Sequence, residues 1–229
     1  MAGWRGMVAE LLHGPGEVRP LIGPEIPERG AVYRPLVLQT DRGKVPCRYY
    51  AAPTAHKGVI WVGGTGGAWD TPAGGLYPHL AKELMEEGFS SLRVGFRVST
   101  RLRECVYDVA AGLRFLADQG ISVAALVGHS FGGAVVIRTA AASAMVGTVV
   151  ALASQSSGAE AASRLGSRCS LLLAHGTGDE VVPSSSSESI FQLAREPKEL
   201  VLFEGAGHAL DEVAASVGEL VSTWLKDHL

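Results

Sequence analysis

The sequence predicts an α/β fold: one mostly parallel, twisted sheet with helices packed on both of its faces. Three observations indicate this class. After an opening hairpin, strand-like and helix-like segments alternate to the end of the chain. Several strand-like segments are continuous apolar runs, as expected for strands buried on both faces of a parallel sheet. The 229 residues are 47% hydrophobic, which is enough to build one large core, and no repeat or linker divides them.

Residues 1–33 are expected to precede the α/β domain, which we place at residues 34–229. Residues 1–14 carry a modest apolar pattern without the compact hydrophobic segment of a signal peptide, and they favour a short surface helix. Residues 14–30 are rich in proline and glycine, and they predict an extended lead-in with little regular structure.

Within the domain, apolar runs bounded by glycine or polar turns predict the strands, and helical periodicity predicts the helices. Residues 154–169 are long enough for one crossover helix, which leaves no residues there for a lid. The strands are expected at residues 33–40, 45–51, 58–62, 89–94, 123–127, 146–153, 170–174 and 199–203. The helices are expected at residues 76–87, 103–119, 133–142, 184–195 and 209–227.

Composition argues against several classes of protein. The formal net charge of −3 leaves no basic surface for nucleic acid and no polybasic membrane anchor. No apolar run approaches the roughly 18 residues of a membrane-spanning helix. The three cysteines, Cys47, Cys105 and Cys169, are widely spaced, which favours neither a disulfide framework nor a zinc site. We therefore expect a cytoplasmic protein without nucleic-acid or membrane partners.

The segment at residues 123–134, VAALVGHSFGGA, has the order strand, G-x-S-x-G, helix, which is typical of a nucleophile elbow. Side chains at Gly128 and Gly132 would collide with the neighbouring strand and helix. Ser130 is therefore expected at the tip of a strained turn, next to the positive end of the following helix. Because glycine makes up 29 of the 229 residues, the pattern alone could arise by chance, and the assignment depends on partners for the serine.

A serine nucleophile needs a base and a third group that orients the base. Ligands bind at the carboxyl ends of parallel strands, so both partners should follow strands. Asp179 follows the seventh predicted strand, and His208 follows the eighth. Glu180 is an alternative acid, and Asp179 could instead cap the next helix. The other histidines are interpreted as structural or solvated, with His129 packed under the turn.

These residues make the chain resemble the α/β-hydrolase superfamily, and it is most similar to small dienelactone-hydrolase-like esterases. The chain order Ser130, Asp179, His208 is the order found in that superfamily. Residues 175–183, HGTGDEVVP, resemble the acid loop H-G-x-x-D-x-x-V-P of the group, and GAGH, which ends at His208, resembles its histidine loop. The resemblance covers roughly residues 34–229 and implies a single-domain α/β-hydrolase fold without a lid domain.

Ester cleavage would also need two N–H groups that stabilise an oxyanion. One is expected to be the N–H of Phe131, directly after the nucleophile. Position favours Thr65 for the second, with Gly64 and Gly66 as alternatives. Relatives usually carry a His-Gly pair where this chain has Gly63 and Gly64. A phosphate-binding loop is another interpretation of this glycine-rich stretch, but no Lys-Ser/Thr pair follows it.

The pocket is less well marked in the sequence than the reacting groups. Gly64, Trp69, Phe96 and Phe131 are candidate walls, although each aromatic ring could equally pack in the core. Residues 95–99, GFRVS, replace the Asp-x-Arg-Gly-type stretch that relatives often carry after this strand.

The sequence thus predicts a serine carboxylesterase that cleaves small esters through an acyl-enzyme intermediate, with no metal or organic cofactor. A thioesterase, a lactonase or an acyltransferase would use the same residues. A non-catalytic small-molecule binding protein on the same scaffold is the alternative from another functional class.

Overall fold

A computed structural model of the chain describes residues 16–27, 30–66 and 69–229. The helix expected at residues 1–14 lies outside these ranges. The strands are β1 Arg19–Ile22, β2 Arg34–Thr40, β3 Gly43–Tyr50, β4 Lys57–Val62, β5 Phe89–Val94, β6 Val123–His129, β7 Val146–Leu152, β8 Ser170–Gly176 and β9 Lys198–Phe203. The α-helices are α1 Leu76–Glu86, α2 Leu102–Asp118, α3 Phe131–Ala140, α4 Ser185–Leu193 and α5 Ala214–His228.

The strands of the described residues form one sheet in the order β1-β2-β3-β5-β4-β6-β7-β8-β9. The pairs that involve β1, β2 and β3 are antiparallel, and the pairs from β5 to β9 are parallel. This confirms the predicted mostly parallel α/β sheet. From β4 the chain first adds β5 on one side and then β6 on the other. Ligands bind beyond the carboxyl ends of the strands at such a switch point, so the loops after β4 and β6 flank the expected site.

The sheet separates two apolar clusters, one under each layer of helices. Leu126 packs with residues of α2, α3 and α4, whereas its neighbour Val127 packs with residues of α1 and α5. Successive side chains of a strand point to opposite faces, so a strand covered on both faces is mostly apolar along its whole length. This requirement explains why β6 and its parallel neighbours are continuous apolar runs.

The structure corrects the prediction for the lead-in. Residues 14–30 were expected to have little regular structure, but Arg19–Ile22 form β1, which pairs antiparallel with β2 and sets Leu21 opposite Val37. The strand has only four residues and includes Pro20, which edge strands tolerate because one side needs no hydrogen bond. A segment this short carries no periodic signal, so only the exposed edge of β2 determines its pairing.

The connection between β7 and β8 also differs from the prediction. In place of one crossover α-helix it contains two short 3-10 helices, Glu160–Arg164 and Gly166–Arg168. Gly158 and Gly166 both have positive φ values, of 90° and 62°, and interrupt any longer helix. Within the described ranges this connection forms no lid. None of the helices in those ranges has the length and the hydrophobicity to cross a membrane.

Candidate active site

The turn between β6 and α3 holds Ser130 in a strained backbone conformation. Its φ is 56° and its ψ is −118°, a combination that is costly for a residue with a side chain. The Ser130 N–H donates to the carbonyl oxygen of Leu152 at 2.8 Å, and the Ser130 carbonyl accepts from the N–H of Gly133 at 3.1 Å. These bonds to β7 and to α3 hold the turn, with the side chain only partly buried.

The glycines around Ser130 are required by contacts between backbones. A Cβ at Gly128 would lie 2.3 Å from the carbonyl oxygen of Gly132. A Cβ at Gly132 would lie 2.4 Å from the carbonyl oxygen of Gly63, at the start of the loop after β4. The elbow therefore closes tightly on itself and also packs directly against the β4 loop.

The carboxylate of Asp179 lies in the loop after β8, with its side chain buried. Its Oδ1 accepts the N–H groups of Val181 and Val182, each at 2.8 Å, and its Oδ2 lies 2.6 Å from His208 Nδ1. Burial alone would raise the pKa of Asp179, but the hydrogen bonds from Val182, His208 and Val181 outweigh it and lower this pKa. The group is therefore an anion at neutral pH. Glu180 is exposed.

The loops that carry Asp179 and His208 are held against each other by their backbones. The N–H of Gly178 donates to the carbonyl oxygen of Ala206 at 3.0 Å, and the N–H of Gly205 donates to Thr177 Oγ1 at 2.8 Å. A Cβ at Gly176 would lie 2.0 Å from the carbonyl oxygen of Ala206. Glycine in the acid loop thus permits the approach that brings carboxylate and imidazole together.

His129 connects the histidine loop to the elbow. Its Nε2 lies 2.9 Å from the carbonyl oxygen of His208, which can only accept, so this nitrogen carries a hydrogen. Burial lowers the pKa of His129, so the ring is neutral. The two imidazole rings lie 4.8 Å apart, and His208 keeps 20% of its side chain exposed. Because His129 directly precedes Ser130, this contact holds the histidine loop beside the elbow.

The candidate oxyanion donors lie on both sides of the elbow. Phe131 is the first residue of α3, so its N–H has no acceptor within the helix. Gly64 is buried, and a Cβ there would lie 3.3 Å from Ser130 Cβ, so the β4 loop passes directly beside the serine. Thr65 follows and is exposed, and its carbonyl oxygen lies 3.5 Å from Ser99 Oγ.

The three aromatic side chains predicted to line a pocket do not lie together. Phe96 packs edge-on against Phe131, with the ring centres 6.2 Å apart, and therefore lies beside the elbow. Trp69 instead stacks on the guanidinium of Arg48 on β3 at 4.2 Å, and its carbonyl oxygen accepts a hydrogen bond of 2.7 Å from Arg93 on β5. Trp69 thus packs over strands on the antiparallel side of the sheet.

Two buried polar clusters near the site were not anticipated from the sequence. Asp108 on α2 is fully buried, and its carboxylate accepts hydrogen bonds from the backbone N–H and the guanidinium of Arg97. These two bonds anchor the loop that carries Phe96. His175, on β8, lies within hydrogen-bond distance of Asp179. The only sequence signal for this contact is the place of His175 in the His-Gly pair that opens the acid loop. Within the described ranges, no three histidine, cysteine or acidic side chains are grouped so as to hold a metal ion.

The chain matches one family model and is similar in fold to several solved structures. Residues 91–219, more than half of the chain, match the model of the dienelactone hydrolase family. No curated protein sequence matches the chain significantly.

Similar solved structures include hydrolases and esterases of low sequence identity. The dienelactone hydrolase from Anabaena variabilis is 18% identical, with 86% of this chain and 98% of that chain covered and a TM-score of 0.74. Est1E from Butyrivibrio proteoclasticus is 15% identical, with 85% and 98% covered and a TM-score of 0.74. The acetyl xylan esterase from Paenibacillus sp. R4 is 15% identical, with 100% and 94% covered and a TM-score of 0.77. These likenesses show a shared α/β-hydrolase fold.

Proposed function

The chain belongs to the dienelactone hydrolase family, and we propose on this premise that it is a serine hydrolase that cleaves small carboxylic esters. The observation that carries the proposal is the hydrogen bond of 2.6 Å between His208 Nδ1 and Asp179 Oδ2. An ionised carboxylate can only accept, so His208 carries its hydrogen on Nδ1. In the neutral ring Nε2 is then free to take a proton, which is the arrangement that a general base needs.

In the proposed reaction, Ser130 Oγ attacks the ester carbonyl carbon while His208 Nε2 takes the hydroxyl proton. Asp179 keeps the imidazole oriented and stabilises its cation. The carbonyl oxygen becomes an oxyanion and accepts hydrogen bonds from the N–H groups of Phe131 and Thr65, or of Gly64 in place of Thr65.

The intermediate then collapses by breaking the bond to the alcohol oxygen, which takes the proton from His208 and leaves as the alcohol. The acyl group remains as an ester on Ser130. A water molecule, deprotonated by His208, attacks this ester, and the second collapse releases the carboxylic acid and returns the proton to Ser130. Apart from the ester and one water molecule, the steps use only groups of the chain itself, and the proposal includes no metal or organic cofactor.

The structure of the connection between β7 and β8 supports the proposal that the substrates are small. Ala161 and Ala162 of its first 3-10 helix are buried in the core, as is Leu165 between the two helices, so it offers no apolar surface to cover a long acyl chain. We therefore propose short acyl esters as substrates, in an open pocket next to Phe96. A thioester or a lactone would react with the same groups, and an acyltransferase would replace water by another acceptor.

We also propose the cytoplasm as the location. Cys47, Cys105 and Cys169 are all free and buried, which suits a reducing compartment.

A fluorophosphonate probe tests the proposal, because it forms a stable adduct only with an activated serine. We expect one adduct on the native protein, located at Ser130 by peptide mass spectrometry. Ser130→Ala is expected to lose both the adduct and the hydrolysis of p-nitrophenyl acetate. Ser189→Ala, which removes an exposed hydroxyl from α4, is the matched control and should keep both.

A folded native protein without an adduct and without hydrolysis would overturn the proposal. Retained binding of a small ester in that case would support the alternative, a binding protein on the hydrolase scaffold.

A further inference from the structure

A second histidine reaches the carboxylate of Asp179 from inside the core. His175 is fully buried near the end of β8, and its Nε2 lies 3.1 Å from Asp179 Oδ2 and 2.9 Å from the carbonyl oxygen of Val182. At the other side of the ring, Nδ1 lies 2.6 Å from the hydroxyl oxygen of Ser187, a buried residue of α4. The proposed reaction uses neither His175 nor Ser187.

The partners determine where the hydrogens of His175 lie. Both oxygens near Nε2 can only accept, so Nε2 carries a hydrogen. The Ser187 hydroxyl can donate to Nδ1, so the neutral ring satisfies both of its nitrogens. A second ring hydrogen, on Nδ1, would instead take this acceptor away from the Ser187 hydroxyl. The cluster is therefore best satisfied by a neutral His175 with its hydrogen on Nε2.

This hydrogen bond constrains the plane of the Asp179 carboxylate. The N–H groups of Val181 and Val182 hold Oδ1 only. A small turn about the Cβ–Cγ bond moves both oxygens, and it can take Oδ2 out of line with His208 before the bonds to Oδ1 break. A second donor on Oδ2 opposes that rotation. His175 also binds the carbonyl oxygen of Val182, so it ties the carboxylate to the same backbone turn that holds Oδ1.

We propose that His175 is a positioning residue, which holds Asp179 Oδ2 in line with His208 Nδ1 through an Nε2–H bond oriented by Ser187. This inference rests on the proposed function, because the alignment of Asp179 matters for turnover only if His208 is the base. The contact adds no charge to the cluster. The negative charge of Asp179 therefore remains available to the imidazolium that forms on His208 during the reaction.

The first test uses histidine-selective ¹H–¹⁵N NMR on the full-length native protein and does not depend on activity. We expect His175 to be the neutral Nε2–H tautomer at about neutral pH. In Ser187→Ala its Nδ1 resonance should move to higher frequency, as for a ring nitrogen that has lost a donor. Ser189→Ala, on the exposed side of the same helix, should leave that resonance unchanged.

The second test separates alignment from folding through two variants. His175→Leu removes the donor to Asp179, and we expect kcat for p-nitrophenyl acetate to fall about 10- to 100-fold with KM changed less than about threefold. His175→Gln can place an amide N–H near the position of Nε2, and it should recover most of the lost kcat. Thermal unfolding of both variants shows whether the fold is retained.

The outcomes distinguish this inference from the proposed function. A native His175 protonated on both nitrogens, or on Nδ1 alone, overturns the inference even if Ser130 is labelled and the ester is cleaved. Equal kcat in folded His175→Leu and native protein also overturns it. Absence of labelling and hydrolysis overturns the proposed function, whereas the NMR result still decides whether His175 donates to Asp179.

Discussion

Replacement of Gly132 by alanine tests the packing between the elbow and the loop after β4. The new Cβ would lie 2.4 Å from the carbonyl oxygen of Gly63 and 3.0 Å from that of Val62. Cβ atoms in proteins essentially never approach another heavy atom more closely than 3.0 Å, so the two backbones must separate by more than half an ångström. Both obstacles are backbone atoms, so no side chain can rotate to relieve the contact.

The loop that moves carries the second proposed oxyanion donor. A misplacement of about 1 Å near a reacting centre can cost about 100-fold in rate, so we expect Gly132→Ala to lower kcat about 10- to 100-fold. Overpacking of this kind also costs about 1–3 kcal/mol of the free energy of unfolding. For a chain of this size each kcal/mol corresponds to a fall in Tm of about 2–4 °C.

The assay pairs p-nitrophenyl acetate hydrolysis with thermal unfolding of the same preparation. Gly218→Ala, on α5, is the matched control, because among the described residues its Cβ would meet only Leu76 Cδ1, at 3.8 Å. It should keep kcat and gain up to about 1 kcal/mol, since alanine favours a helix over glycine. Native kcat and Tm in Gly132→Ala would refute the packing argument. A lower Tm with native kcat would refute the role of the β4 loop in stabilising the oxyanion.

Three further predictions concern the acid, the pH dependence and the substrate. Asp179→Asn is expected to lower kcat on the order of 10⁴-fold, as in a comparable triad, whereas Glu180→Gln should change kcat little. If steady-state assays show the larger loss for Glu180→Gln, Asp179 is not the acid. The folded pKa of Asp179 is lowered, so its stabilisation is complete above the unfolded value of about 3.9 and is lost as the pH falls through the folded value. The free energy of unfolding lost in Asp179→Asn should therefore shrink between about pH 7 and about pH 3 in urea titrations, and an equal loss at both pH values would contradict the shift. In a series of p-nitrophenyl esters, kcat/KM should be greatest for short acyl chains, because an open pocket buries little of a long chain and so yields little of the ~0.8 kcal/mol available per buried CH₂. A maximum at roughly twelve carbons or more would contradict this expectation.

The class of the fold could be predicted because its signals are local. Nearly every residue of the central parallel strand β6 is buried, so a run such as residues 123–127 is apolar. Its place before G-x-S-x-G follows from neighbouring residues alone. The conformation of Ser130 and the need for Gly128 and Gly132 likewise depend on contacts within a few residues and with the adjacent strand.

Other features depend on segments that are distant in the sequence. Residues 19–22 carry too few positions for a periodic pattern, and they become a strand only because β2 leaves an unpaired edge beside them. Trp69 is an aromatic residue of the kind that often lines a pocket. Its ring stacks on Arg48 and its carbonyl oxygen accepts a hydrogen bond from Arg93, and these contacts hold it on the antiparallel side of the sheet. Local sequence patterns carry no information about such contacts between distant segments.

His175 shows the same division within the candidate site. The sequence alone determined that this histidine lies in the same motif as Asp179. Only the tertiary structure decided that its ring turns into the core, where Ser187 of the following helix and the Val182 carbonyl oxygen orient it toward the carboxylate. The physical reason is that a hydrogen bond needs a separation of about 3 Å and a defined direction, which are set by the packing of β8 against α4 rather than by the order of residues.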